Sequence, residues 1–155
     1  MKIEIGQPAI DFTLNDQDKN PVTLSAQQGS KVVLLFFPKA FTSVCTKELC
    51  SVRDHLADYN NANAKVFGIS CDTPEDLNAY KAEQQLNFSL LSDHSREISF
   101  QYGSLYQSAP DDRSGVSKRS AFVIDEKGIV IHAEVLEDAY QIPDFDAIHH
   151  CLKSN

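Results

Sequence analysis

A chain of 155 residues, 42% hydrophobic and 23% charged, is long enough for one core and short for two, so a single domain over 1–155 is expected. Its formal net charge of −8 argues against a nucleic-acid or anionic-membrane surface, either of which would favour an excess of Lys and Arg. Met1 is followed by Lys2 and a polar-alternating segment with no signal-like apolar stretch, and no apolar run approaches roughly 18 residues, so a cytoplasmic chain with no membrane partner is expected.

Two strands are predicted over 12–14 and 22–24, an N-terminal β-hairpin around the polar turn 16–21. Val32, Val33, Leu34, Leu35, Phe36 and Phe37 are consecutive apolar residues, which reads as a strand covered on both faces; Pro38 cannot continue its ladder and ends it. Leu49, Val52, Leu56 and Tyr59 then recur at helical spacing, with Cys45 one turn before Leu49 in the first turn of that helix. A strand over 65–70 follows. Thr73, Pro74, Glu75 and Asp76 are an N-cap, a proline at the first helical position and acidic first-turn residues, so a helix is expected to about 86. A short strand over 88–91, a helix over 96–102 closed by Gly103, and a loop over 105–118 carrying Pro110, Asp111 and Asp112 come next. Two strands pair across the turn 125–128, and Pro143 with Asp144 opens a last helix through Leu152. Parallel strands joined by crossover helices, plus hairpins, make an α/β chain with a mixed β-sheet flanked by helices.

Strand end, proline and helix start together single out Cys45. Unpaired backbone N–H groups and the helix dipole favour an anion there, which is the condition for a reactive thiolate. Thr42 lies three residues earlier, at N-cap distance, so its hydroxyl is expected to bond the helix start and an incoming oxygen. Cysteine is more often a small packing residue; that reading is given to Cys71, after an apolar strand, and to Cys151, on one helical face with Ile148 and Leu152. Cys50 is the nearest candidate to pair with Cys45. In an intact helix their Cα atoms would stand roughly 8.7 Å apart, beyond the limit of about 7 Å for a disulfide, so the helix must unwind to join them. A disulfide oxidoreductase of the thioredoxin type would need a C-x-x-C pair, which Cys45 and Cys50 are not. His149, His150 and Cys151 carry metal-ligating atoms, but adjacent residues face different sides of a helix, and no metal or cofactor is expected.

The pattern Pro38-x-x-x-Thr42-x-x-Cys45, with Glu48 three residues on and Arg119 opening the segment Arg119-Ser120-Ala121-Phe122-Val123-Ile124-Asp125, resembles the active-site pattern of the peroxiredoxins. The likeness extends to Gly6-Gln7-Pro8-Ala9-Ile10-Asp11-Phe12, to Val66-Phe67-Gly68-Ile69-Ser70 and to Leu90-Leu91-Ser92-Asp93. Pro38-Lys39-Ala40-Phe41-Thr42 is similar to the one-cysteine bacterial branch, whereas a second cysteine five residues after the first is similar to the bacterioferritin-comigratory branch. The resemblance implies a thioredoxin-like fold and a thiol-dependent peroxidase that reduces hydrogen peroxide and organic hydroperoxides through a cysteine sulfenic acid. It implies Cys45 as nucleophile, Thr42 and Arg119 on the peroxide oxygens, Glu48 orienting the guanidinium and Pro38 shielding the thiolate. Cys50 or an external thioredoxin- or glutaredoxin-like reductant would reset the enzyme, and a homodimer is left open. A non-catalytic redox sensor built on the same cysteine is the alternative. Acidifying a thiol from about 8.5 to about 6 raises its thiolate fraction near neutral pH only on the order of tenfold to thirtyfold, roughly 2 kcal/mol. Most of a large acceleration must therefore come from groups that hold the peroxide and meet its developing charge.

Overall fold

The structure, a computed structural model, describes residues 3–107 and 115–154; Pro110, Asp111 and Asp112 of the expected loop lie outside the described residues. Strands β1 (Thr13–Asp16), β2 (Pro21–Thr23), β3 (Lys31–Phe36), β4 (Ala64–Ser70), β5 (Ser89–Ser92), β6 (Arg119–Ile124) and β7 (Val130–Leu136) form one sheet in the order β2-β1-β5-β4-β3-β6-β7. β3, β4 and β5 run parallel, while β1 joins β5, β6 joins β3 and β7 joins β6 antiparallel. The sheet is mixed, as the element order implied.

β3 is apolar throughout because both of its faces are covered. Successive side chains point to opposite sides of a strand. Val33, Leu35 and then Phe37 therefore pack with Leu49 and Val52 of α1 (Ser43–Asp54), Tyr59 of α2 (Leu56–Asn61), Leu77 and Tyr80 of α3 (Pro74–Glu83) and Ile148 of α5 (Phe145–Ser154). Val32, Leu34 and Phe36 pack on the other side with Phe12, Leu14, Phe122 and Ile98 of α4 (Glu97–Gln101). Gly68 on β4 sits where a Cβ would come within 2.8 Å of Leu90 Cδ2 and 3.2 Å of Phe37 Cε1, so the strand end that leads into Pro38 is held tightly.

One expectation changes. The helix read as continuous from Cys45 past Tyr59 is broken at His55, whose backbone leaves helical geometry at φ −119°. The His55 side chain competes for the carbonyl that its own N–H would need, since Nδ1 lies 2.9 Å from Ser51 O and the N–H turns to Val52 O at 3.1 Å. Leu56 and Tyr59 still pack inward, so the apolar spacing was right and the continuity was not. Elsewhere the local signals hold: the Thr73 hydroxyl accepts from Asp76 N at 3.2 Å with Pro74 at the first helical position. Among the described residues no helix is long and apolar enough to cross a membrane.

Candidate active site

β3 and β4 end side by side, with Phe37 N donating to Ile69 O at 2.9 Å as the last rung. The chain then turns through buried Pro38 and exposed Phe41 into α1, which begins at Ser43. Cys45 is the third residue of that helix and only 1% exposed. The site thus lies where a parallel strand hands over to a helix N-terminus, the position at which backbone N–H groups stay unpaired.

Thr42 has the extended backbone of an N-cap residue, but its hydroxyl makes no capping bond. It donates instead to Lys39 O at 2.8 Å, within the turn. The expectation that this hydroxyl bonds the helix start is thereby corrected: the turn draws it back, and the first N–H groups of α1 are left to meet an anion. The hydroxyl oxygen itself keeps lone pairs for an incoming donor.

Arg119, the first residue of β6, is 1% exposed despite its charge. Its Nη1 donates to Glu48 Oε1 at 2.6 Å, its Nη2 to Cys45 Sγ at 3.3 Å, and both Nη2 and Nε reach Ala139 O, at 2.9 and 3.3 Å. The strand, the cysteine helix and the loop before α5 thus meet on one guanidinium, whose planar fork suits several acceptors at once. Burial works against the Arg119 charge, but Glu48 and Cys45 outweigh it and hold the group protonated. Arg119 is in direct contact with both Cys45 and Glu48, and Pro38 and Thr42 belong to the adjoining turn. Cys50 faces away: its thiol points to Gln84 Oε1 at 3.6 Å, on a seam where α1 meets the end of α3. The same seam carries Arg53 Nη1 on Gln84 O at 2.6 Å and a Thr46–Tyr80 hydroxyl contact of 2.8 Å. Thr46 spends its proton on Thr42 O at 2.7 Å, so Tyr80 is the donor in that contact.

Glu48 is fully buried, and its Oε2 has no hydrogen-bond partner among the described residues. Burial pushes its carboxyl from an ordinary 4.5 up to about 7; Arg119 opposes that rise and Glu134 adds to it. Desolvation wins because one of the two oxygens is left without a donor. A carboxyl whose pKa is higher folded than unfolded contributes stability that is fully present below about 4.5 and lost as pH rises through about 7. Glu48→Gln should therefore shrink the fall in stability between about pH 5 and pH 8 by roughly 2 to 3 kcal/mol, read from urea unfolding at both pH values. An identical fall in the variant would mean that Glu48 is ionised throughout.

Sequence reasoning missed four contributors. Ala139 acts through its carbonyl, which no side-chain pattern reports. Tyr80 and Gln84 carry the α3 side of the seam, on a helix read only from its N-terminal signals and its length. Asp72, whose Oδ2 accepts from Ala40 N at 2.9 Å, stood unremarked between a strand and an N-cap. Among the described residues no group of three or more His, Cys, Asp or Glu side chains could hold a metal ion, and the His149 ring lies tilted against that of Tyr59, centroids 4.9 Å apart.

A model of the AhpC/TSA family matches residues 5–133 of this chain. A putative peroxiredoxin of Mycobacterium tuberculosis is 40% identical over 131 residues, 83% of each chain. Peroxiredoxin Bcp of Escherichia coli is 34% identical over 159 residues, covering 99% of this chain and 97% of its own. The crystal structure of peroxidoxin BcpB from Mycobacterium tuberculosis superposes with a TM-score of 0.85 at 28% identity, over 98% of this chain and 97% of that one.

Proposed function

The chain belongs to the AhpC/TSA family of peroxiredoxins and is a thiol-dependent peroxidase, and from that premise we propose that Cys45 is its peroxide-reducing thiol, served by Arg119, Thr42, Glu48 and Pro38. The observation that carries this reading is the Arg119 guanidinium hydrogen-bonded to both Cys45 Sγ and Glu48 Oε1 in a buried site. Family membership implies a peroxide substrate and a thioredoxin-like reductant; hydrogen peroxide and organic hydroperoxides are the substrates we propose. We propose a cytoplasmic location, where thiols are kept reduced.

The Cys45 thiolate attacks the terminal oxygen of the peroxide in line with the O–O bond. An S–O bond forms, the O–O bond breaks, two electrons pass from sulfur to the peroxide, and the departing alkoxide or hydroxide takes a proton to leave as alcohol or water. Negative charge moves from sulfur to the leaving oxygen. Arg119, already on Sγ, lies on that path and needs little reorganisation to follow the charge, which is the arrangement that lowers a barrier most. Thr42 accepts the peroxide O–H and fixes its direction. Pro38, buried beside the thiol helix, keeps bulk water from solvating the thiolate.

Oxidised Cys45 is a sulfenic acid, and we assign its resolution to Cys50: the Cys50 thiol displaces water and an intramolecular disulfide forms. Residues five apart in an intact helix stand roughly 8.7 Å apart at Cα, so α1 must open, breaking the Cys50–Gln84 and Thr46–Tyr80 contacts. One equivalent of peroxide should then give a Cys45–Cys50 disulfide by peptide mapping together with a loss of helical circular dichroism. Cys50→Ser should accumulate sulfenic acid and over-oxidise more readily. A wild type that holds stable sulfenic acid with unchanged helicity would make Cys50 a packing residue and the cycle a one-cysteine one.

A further inference from the structure

We propose that Asp72 is a positioning residue for peroxide reduction, a carboxylate on the turn after β4 that holds the neighbouring turn, residues 38–42, in the strained shape that aims the Thr42 hydroxyl. The inference rests on the reading of Thr42 as a peroxide-binding residue.

Because β3 and β4 are parallel neighbours, with Phe36 opposite Ile69, the turns that leave them run side by side. One leads to α1 and the other to α3. Asp72 bridges the two: its Oδ2 accepts from Ala40 N at 2.9 Å and from Ser70 Oγ at 2.7 Å, and its own carbonyl accepts from Ser92 Oγ at 2.6 Å. Ser70 and Ser92 are buried at the ends of β4 and β5, so Asp72 is rooted in the sheet at both its backbone and its side chain.

The bond falls at a telling place. Ala40 is 3% exposed, so its N–H is shut away from water and needs a protein acceptor. The next residue, Phe41, adopts φ +67°, a left-handed conformation that a bulky L-residue keeps only when its surroundings enforce it. Its restraints include the Ala40–Asp72 bond, the Thr42 Oγ1 to Lys39 O bond, and the Phe41 ring against Tyr80 at 5.0 Å, beside the Thr46 bonds that tie Thr42 O to α1. The second lies inside the turn and moves with it. The third joins an exposed ring to a helix side chain. The Asp72 bond alone among these ties the turn's backbone to the sheet.

Without Asp72, Phe41 is free to relax to negative φ, and Thr42, the next residue, is re-aimed. Cys45 is affected differently. Its helix is packed by Leu49 and Val52, and its sulfur is held by Arg119, neither of which depends on the turn. Loss of Asp72 should therefore separate two properties that usually fall together, speed with peroxide and general thiol reactivity.

The test is the second-order rate of Cys45 oxidation by hydrogen peroxide, set beside the pH profile of Cys45 alkylation by iodoacetamide, in the full chain. Asp72→Ala should slow oxidation by at least about tenfold while alkylation stays within about twofold, with its pH profile in place. Asp72→Asn keeps an oxygen that, in the place of Oδ2, accepts from both Ala40 N and Ser70 Oγ, so its oxidation rate should return to within about threefold of wild type. Should Asp72→Ala not fold, Asp72→Ser, too short to reach Ala40, carries the same expectation. Oxidation of the Ala or Ser variant above about a third of the wild-type rate would overturn the proposal, as would a parallel loss of oxidation and alkylation, or an Asn variant as slow as Ala. A wild type that reacts with peroxide no faster than a free thiol would instead refute the reading of the site itself.

Discussion

Cys45→Ser is expected to abolish peroxide consumption, while Cys71→Ser and Cys151→Ser leave the initial oxidation rate within about threefold of wild type. The difference follows from where each sulfur lies. Cys45 opens a helix and accepts a hydrogen bond from a guanidinium, so its anion is met by positive charge. Cys71 is buried beside the hydroxyls of Ser117 and Ser99, and burial pushes its thiol up, away from the nucleophilic form. Burial does the same to Cys151, whose thiol points at Ile131 O. Stopped-flow peroxide consumption by each variant, with excess thiol reductant, decides the matter. Retained fast consumption in Cys45→Ser would end the assignment, and turnover by wild type sets an enzyme apart from a stoichiometric sensor.

Arg119→Met and Thr42→Val should each slow oxidation by at least about a hundredfold, on the order of 3 kcal/mol in the barrier, for different reasons. Arg119→Met removes the charge that meets both the thiolate and the leaving oxygen. It leaves Glu48 buried without its partner, so stability must be measured alongside, and Arg119→Lys supplies a variant with charge but no fork. Thr42→Val keeps the shape and removes the hydroxyl. Its loss should fall on the peroxide step alone, with alkylation unchanged. A variant that keeps more than about a third of the wild-type rate would demote its residue to a structural role.

Much of this site could be read before any coordinates. Consecutive apolar residues ending at Pro38 described a doubly covered strand, and helical spacing after Cys45 put the thiol in a first turn; both are local signals with a local cause. Arg119 was legible only by resemblance, since an arginine at the start of a strand is ordinarily a surface residue and nothing in its neighbours announces a buried one. What could not be read depends on contacts between distant segments. The break at His55 comes from a ring nitrogen taking a carbonyl, the third arm of the Arg119 grip is a backbone oxygen at Ala139, and the Thr42 hydroxyl turns back to Lys39 because the turn has a shape that Asp72 helps to impose. Glu48 lies against the guanidinium, but its orphaned oxygen, and with it the rise of its carboxyl to about 7, is a property of packing.

The central claim is that this site accelerates peroxide reduction chiefly by holding the peroxide and meeting its charge, and only in small part by keeping sulfur ionised. The direct measurement is a pair of second-order rate constants for wild-type Cys45, one with hydrogen peroxide and one with iodoacetamide, each compared with a free cysteine thiolate. The account predicts oxidation at least about a thousandfold faster than the free thiolate, with alkylation within about tenfold of it. Equal enhancement of both reactions, or of neither, would contradict it.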